Sequence, residues 1–341
     1  MTSPHYAAAG VDLDAAEEAK ARIAQLVAGT RTGLSVGAVG AFGGMIRIPP
    51  GMRCPTLVMS TDGVGTKVLV AQQAERYDTV GEDLVNHSVN DILVHGARPL
   101  AFMDYVAGHR LPVEMTAAIV AGVARGCLAH GMALAGGETA QMPGLYAERT
   151  FDLAGTIIGV VEEDDAIHGS QIMPGDVLIA YASSGLHTNG YTLARRVLLE
   201  EMGLSLSAML PGTDTRVGDA LLAVHTSYYG AIQPVLSLIH GLAHITGGGI
   251  GGNLVRVLPD GCTALIDATS WQWPALFTAI AAGGRISMAE MRDVFNLGVG
   301  MIASVPPDAA NQVHAAAGAA GVATWNCGTI IAGSPGVEFR Q

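Results

Sequence analysis

The segment Ser60-Thr61-Asp62-Gly63-Val64-Gly65-Thr66-Lys67 gathers a carboxylate, two glycines, a hydroxyl and an ammonium directly after the apolar run Leu57-Val58-Met59. Glycines let main-chain N–H groups approach an anion closely, Lys67 can neutralise phosphate, and Asp62 can hold a divalent cation. These are the parts of a nucleotide-phosphate site, although not in Walker order, because Thr66 precedes Lys67. A plain glycine-rich hairpin turn is the competing reading. The segment Ala135-Gly136-Gly137-Glu138-Thr139-Ala140 repeats the scheme of strand, glycine pair, carboxylate and hydroxyl. Mg²⁺ bound to ATP takes one or two protein carboxylates beside phosphate oxygens and water, so Asp62, Asp91, Asp104 and Glu138 form a candidate ligand pool. The alternative for Glu138-Thr139 is a helix start, with the carboxylate near the dipole.

Between these loops, the spacing predicts a helix over 79–95 that opens with a capping box, Thr79 to Glu82. At 3.6 residues per turn, Asp83, His87, Asn90 and Asp91 form one polar stripe while Leu84, Val85, Val89 and Leu93 point elsewhere. A solvated face is the bland reading of that stripe; the lack of Lys or Arg from Asp78 to Ala97 argues against it. Further on, Ser183-Ser184-Gly185-Leu186-His187-Thr188-Asn189-Gly190-Tyr191 links a strand to a helix and offers an anion cup for a substrate phosphate, with helix capping as the alternative. Thr246-Gly247-Gly248-Gly249 is a second phosphate candidate. With Gly252 it also fits GxGxxG, but Pro234 to His244 reads as helix rather than the strand a dinucleotide fold requires. His240 and His244 have metal-ligand spacing without an HExxH glutamate, so helix-surface histidines are expected there.

The elements that must position these residues alternate between strand and helix. A helix from Asp12 to Gly29, with Asp12 or Asp14 as cap, is followed by glycines at Gly37, Gly40, Gly43 and Gly44. Then come strands at Pro55–Ser60, Leu100–Tyr105 and Phe151–Val161 and a helix at Val113–His130. The polar, Gly/Pro-containing stretch His168 to Asp176 marks a boundary, giving domains 1–168 and 169–341. The second series has strands at Asp176–Ala182, Thr263–Asp267, Gly298–Val305 and Val322–Ile331. Helices are expected at Gly190–Met202, Pro274–Gly283 and Asp308–Ala320, with helical material from about Asp219 to Leu242. The fold class is α/β in two domains. The Ala/Gly richness reads as tight helix packing.

Composition removes several classes of function. Thirty acidic against 18 basic residues give a formal charge of −12, which repels nucleic acid and anionic membranes, so an anionic substrate needs a local site. Hydrophobic residues make up 50% of the 341, yet charges or some of the 45 glycines interrupt every run before a spanning length of about 20 residues. The N-terminal residues lack the basic and apolar regions of a secretory signal, which predicts a cytoplasmic protein. Cys54, Cys127, Cys262 and Cys327 are far apart with no CxxC pair and read as small buried residues rather than disulfides or a zinc site.

In order and completeness these blocks resemble the aminoimidazole ribonucleotide synthetase (phosphoribosylformylglycinamidine cyclo-ligase) family. The resemblance runs from Tyr6-Ala7-Ala8-Ala9-Gly10-Val11-Asp12 to Phe295-Asn296-Leu297-Gly298-Val299-Gly300-Met301 and includes Val89-Asn90-Asp91-Ile92-Leu93-Val94-His95-Gly96-Ala97 and Trp271-Gln272-Trp273-Pro274. One departure is Gly40-Ala41-Phe42-Gly43-Gly44, where the family tends toward Gly-Gly-Phe-Gly-Ala. The resemblance implies an N-terminal domain whose mixed sheet joins that of a dimer mate in a barrel-like core, and a C-terminal α/β domain. It implies ATP and Mg²⁺ as cofactors and formylglycinamidine ribonucleotide as substrate. On that footing Asp62 and Asp91 are assigned to Mg²⁺–ATP, Lys67 to the transferring phosphate, and Glu138 to metal or substrate amidine. Gly43, Gly44, Gly63, Gly65, Thr66, Asn90, Gly136, Gly137 and Thr139 complete the nucleotide set, and Ser184, His187, Asn189 and Thr246 to Gly249 are assigned to substrate. Selenophosphate synthetase, thiamine-phosphate kinase and the hydrogenase-maturation dehydratase share such loops. An NAD-dependent dehydrogenase or a non-catalytic nucleotide-binding regulator stands as the reading from another class.

Overall fold

A computed structural model describes residues 13–38 and 40–340, so the Tyr6–Asp12 block and the Asp12 cap lie outside the described residues. The chain divides into two units, one of Met1–Ile92 with Ala97–Glu163 and one of Leu93–Gly96 with Asp164–Gln341. In the first, helix α1 (Leu13–Gly29) precedes a short antiparallel pair, β1 (Ser35–Val36) and β2 (Met45–Ile46). There follow β3 (Pro55–Gly63), α2 (Lys67–Ala74), α3 (Asp78–Leu93), β4 (Arg98–Gly108), α4 (Val113–Ala129), β5 (Ala133–Gln141) and β6 (Phe151–Glu162). The last four strands form a sheet in the order β3-β6-β4-β5, parallel only between β4 and β5.

Register aligns Asp62 with Gly155, Gly155 with Asp104, and Asp104 with Gly137 in one row across the sheet. Residues in one row share a face. Helix α3 packs on that face, with Leu84 beneath Gly155 and His87 against Asp62. Helices α3 and α4 meet through glycines: a Cβ on Gly81 would stand 2.1 Å from the Ile119 carbonyl, and one on Gly122 would stand 2.2 Å from that of Asp78. The glycine richness here is therefore helix packing. The opposite face of the sheet leaves Leu57, Met59 and Tyr105 at 45%, 64% and 37% exposure, and β3 is an edge strand.

The second unit is built on a sheet of order β12-β9-β11-β7-β10-β8, antiparallel except between β12 and β9. Its strands are β7 (Val177–Ala182), β8 (Gly241–His244), β9 (Cys262–Asp267), β10 (Val299–Val305), β11 (Thr324–Ala332) and β12 (Gly336–Arg340). Alternation along β7 sends Ile179 and Tyr181 into one apolar core and Leu178 and Ala180 into another, so both faces of the sheet are covered. The helices are α5 (Tyr191–Arg195), α6 (Val217–Leu221), α7 (Tyr229–Ile232), α8 (Gly249–Leu254), α9 (Ala275–Gly284), α10 (Met288–Val294) and α11 (Ala310–Ala319).

Four expectations are corrected. The predicted helix leading to His244 gives way to a 3₁₀ stretch, Gln233–Leu238, and then to β8, because Gly241–His244 pair with β10 and all four are buried. Tertiary pairing overrides helical spacing in so short a run. His240 and His244 are accordingly not helix-surface residues. The helix expected over 190–202 is α-helical only to Arg195 and continues as a wider π-helical turn over Arg196–Glu201. Glu138 and Thr139 lie within β5, neither in a loop nor at a helix start. Cys54 is exposed while the other three cysteines are buried.

Candidate active site

In the first unit, the end of β3 and the polar stripe of α3 form an acid–histidine cluster. The stripe is not a solvated face: Asp83 and Asn90 are 0% exposed and His87 is 3% exposed. His87 Nε2 lies 2.7 Å from Asp62 Oδ2 and 3.5 Å from Asp91 Oδ2, and the Ser60 hydroxyl donates to the same Asp91 oxygen at 3.0 Å. Burial on its own lowers the His87 pKa, but hydrogen bonds to Asp62 and Asp91 outweigh it and lift the value to about 9. Burial likewise raises Asp62, while its hydrogen bond to His87 leaves that carboxyl below its usual range. A cation thus stands between two carboxylates at neutral pH. The Asp62 carboxylate also accepts the Gly63 N–H at 2.6 Å, and Gly65 has φ +55°, a conformation that admits glycine readily.

Lys67 is 0% exposed, with Nζ 2.8 Å from Asp83 Oδ2 and 2.9 Å from Oδ1. Burial draws the ammonium below its usual range and Asp83 opposes this. In this conformation its charge is matched inside the fold, beneath the loop it follows. Asp104 is also buried, and burial raises its carboxyl to about 6. Its Oδ1 would lie 2.2 Å from a Cβ on Gly137, so that glycine makes room for the carboxylate. Glu138, one residue on, points to the other face, and β5 lies three strand positions from β3. At about 4.8 Å per strand that is roughly 14 Å, too far for Asp62 and Glu138 of one chain to share a metal ion. Gly136 and Thr139 flank Glu138 on that strand, where the Thr139 N–H donates to Glu138 Oε1 at 2.9 Å. Gly44 backs onto the same strand, 2.4 Å from the Ala135 carbonyl at its Cβ position, whereas Gly43 has open space around it. Thr66 is the residue before α2.

The second unit brings its two candidate segments together. They follow β7 and β8, the neighbours on either side of β10. The Asn189 side-chain oxygen accepts the Gly247 N–H at 3.0 Å, which joins one segment to the other. Gly248 and Gly249 have φ +92° and +60°, and a Cβ on Gly249 would stand 1.8 Å from the Arg292 carbonyl, so the backbone there admits no side chain. Asn253 shapes this turn: its amide donates to the carbonyls of Gly249, Gly247 and Thr246, and its oxygen accepts from the Thr246 hydroxyl. Asn296 does the same for the other segment, donating to the Gly185 carbonyl at 2.9 Å and accepting from the Ser183 hydroxyl at 3.1 Å. His187 is 2% exposed, and its Nε2 accepts the main-chain N–H groups of Ser184 at 3.2 Å and Thr226 at 3.4 Å. The Ser184 hydroxyl donates to the Val224 carbonyl. Both side chains therefore shape the loop.

Residues 40–161 match the N-terminal domain, and residues 173–339 the C-terminal domain, of the family described as AIR synthase related protein. A phosphoribosylformylglycinamidine cyclo-ligase from Sorangium cellulosum (strain So ce56) is 47% identical over 330 residues, 96% of this chain and 95% of the relative. One from Geotalea daltonii is 48% identical over 311 residues, 90% of this chain and 89% of that relative. The chain belongs to the phosphoribosylformylglycinamidine cyclo-ligase family. Among solved structures, thiamine-monophosphate kinase from Stenotrophomonas maltophilia K279a superposes with TM-score 0.67 at 17% identity, covering 95% of this chain and 94% of the other. Hydrogenase maturation protein HypE in complex with ATP gives 0.62, also at 17%, covering 94% and 91%. These two share the fold.

Both clusters fall inside the cyclo-ligase match, Asp62, His87 and Asp91 in its N-terminal part and Asn189, Thr246 and Asn253 in its C-terminal part. Sequence reasoning missed Asn253, Asn296 and His225 as organising residues. The amides sit at fixed offsets from glycine turns, a usable signal. His225 has no motif around it.

Proposed function

We propose that this cyclo-ligase family member converts formylglycinamidine ribonucleotide and ATP into aminoimidazole ribonucleotide, ADP and phosphate, a step of de novo purine biosynthesis, in the cytoplasm. The observation that carries the reading is the match to cyclo-ligases along 96% of the chain, which takes in both clusters.

A formamide oxygen is a poor leaving group. In the proposed reaction it takes the γ-phosphoryl group of ATP, giving an iminophosphate; the neighbouring amidine nitrogen attacks that carbon, loses a proton, and the C–O bond breaks to release phosphate. Phosphoryl transfer depends chiefly on positioning and charge neutralisation, so no protein nucleophile is required. Asp62 and Asp91 both reach His87 Nε2, which holds the two carboxylates close to one another, as ligands of a Mg²⁺–ATP complex must be. When bound there, Mg²⁺ neutralises phosphate oxygens. The main-chain donor of Gly65 approaches the phosphates, Gly63 holds the Asp62 carboxylate with its own N–H, and Asn90 backs the helix face behind them. Lys67 acts by pairing with Asp83, which ties the start of α2, and the glycine loop before it, to α3. On the second unit, Asn189 and the Thr246–Gly249 turn grip the ribose phosphate.

The chain is further proposed to act as a homodimer. Leu57 and Met59 lie exposed on an edge strand and one face of the first sheet stays partly open, surface that a second copy of that sheet would cover in a barrel-like core. Glu138 and Tyr105 share that face, so Glu138 belongs to the shared surface in this account. Light scattering should give about twice the 35.0 kDa chain mass at micromolar concentration, and a fully active monomer contradicts the proposal. For the reaction, purified protein with Mg²⁺ should form one aminoimidazole ribonucleotide per ADP. ATP hydrolysis at equal rate without the substrate refutes it.

The dinucleotide alternative loses its structural basis. A strand does precede Gly247-Gly248-Gly249, yet β8 pairs with β10 antiparallel, whereas the dinucleotide fold requires a parallel βαβ unit. Among the described residues, no helix is long and apolar enough to cross a membrane.

A further inference from the structure

We infer that His225 is a positioning residue for the substrate-facing loops of the second unit. The inference rests on the assignment of those loops to substrate. His225 is 0% exposed; it touches the first of these loops and the strand residue that leads into the second. Its Nδ1 lies 3.3 Å from the Thr188 hydroxyl, in the segment after β7. Its Nε2 lies 3.2 Å from Nε2 of His244, the last residue of β8, just before the Thr246–Gly249 turn. Its ring stacks on His187, with centroids 3.9 Å apart and planes at 24°.

The neighbours of His225 act on the same loop. Thr226 donates its N–H to His187, the Val224 carbonyl takes the Ser184 hydroxyl, and the Tyr228 hydroxyl donates to the Ala182 carbonyl at 2.9 Å. The segment from Val224 to Tyr228 is thus a clamp along residues 182–188. A second, independent observation shows why a clamp is needed. His187 has φ +61°, a left-handed conformation that a non-glycine residue holds only when its surroundings over-determine it. The stack on His225 and the two N–H donors supply that constraint.

The His225–His244 contact also fixes protonation. At 3.2 Å one ring supplies the bridging N–H and the other accepts it, so the pair does not carry an N–H on both facing nitrogens. His225 therefore fixes how the His244 ring is held at its Nε2. This buried imidazole joins the Ser183–Asn189 segment to β8 through Thr188, as Asn189 joins it to Gly247 one residue on.

Steady-state kinetics on the full-length protein test this. His225→Ala should raise KM for formylglycinamidine ribonucleotide about tenfold or more and lower kcat, with KM for ATP within about twofold of wild type. His225→Gln, which keeps a polar group near the Nε2 position, and His225→Asn, which keeps one near Nδ1, should each restore part of the loss. In a double-mutant cycle, His225→Ala on a His244→Ala background should cost much less than on wild type. A destabilised His225→Ala enzyme with unchanged substrate KM overturns the inference, as does full additivity with His244→Ala. If His225→Ala does not fold, the Gln and Asn variants decide, and wild-type KM in both overturns it. Asn189→Ala separates this failure from that of the underlying assignment. A raised substrate KM there with normal values in every His225 variant sinks only the positioning role, and an unchanged one sinks the loop assignment itself.

Discussion

The acid–histidine cluster of the first unit and the loop cluster of the second hold their polar groups by different physics. In the first, opposite charges are taken out of water together: Lys67 with Asp83, and His87 with Asp62 and Asp91. In the second, the contacts around the loops are hydrogen bonds among amides, imidazoles, hydroxyls and main-chain groups, with Asn189, Asn253 and Asn296 at the junctions. The difference matches the two ligands proposed for them. Mg²⁺–ATP is a concentrated charge that carboxylates must meet, whereas a ribose phosphate needs N–H donors placed at fixed geometry. Charge removal should therefore damage the first unit severely, and amide removal should act on the second as a graded loss of binding.

The largest effect is expected at the buried ion pair. Removing one partner leaves an unpaired buried charge, so Asp83→Asn or Lys67→Met should cost about 3–5 kcal/mol in denaturant melts, while Lys67→Met combined with Asp83→Leu should recover much of it. An exposed pair would cost under about 1 kcal/mol, and such a result would break the comparison on its ionic side. Next come Asp62→Asn and Asp91→Asn. Each keeps shape and removes charge, so turnover should fall roughly 10²-fold or more and the Mg²⁺ requirement should rise, with a smaller loss of stability because each also pairs with buried His87. Wild-type activity of both variants at limiting Mg²⁺ would return these aspartates to a structural role.

Asp104 sharpens the comparison through pH. Its folded pKa of about 6 lies above the ordinary 3.8, so its neutral form is favoured in the fold and its contribution is lost as pH rises through about 6. Asp104→Asn should match wild-type stability near pH 4 and exceed it by about 2–3 kcal/mol near pH 8. A difference that does not change with pH contradicts this. The smallest effect belongs to the neutral side. Asn189→Ala should raise KM for formylglycinamidine ribonucleotide by about tenfold and leave KM for ATP unchanged, and a lowered melting temperature without a KM change would mark Asn189 as a cap only.

Much of this arrangement was legible before any coordinates. Apolar runs located β3, β4 and β6, and the 3.6-residue period placed Asp83, His87, Asn90 and Asp91 on one stripe of α3. What the period did not tell is that the stripe is buried, because a polar face pairs with whatever β3 and α2 bring to it. The interior position of Lys67 was hidden for the same reason: a lysine after glycines reads as a phosphate ligand until its partner on another helix is known. Strand β8 was misread because a four-residue run has no period of its own, and only pairing with β10 makes it a strand. His225 left no trace in the sequence, since its partners Thr188, His187 and His244 come from distant segments.

The central claim, that ATP drives ring closure by phosphorylating the formamide oxygen, is tested most directly by following that oxygen. Formylglycinamidine ribonucleotide carrying ¹⁸O at the formyl position, turned over with Mg²⁺ and ATP by the wild-type protein, should release phosphate containing the label, one labelled oxygen per ring closed. Label appearing in water while the phosphate stays unlabelled would contradict the account.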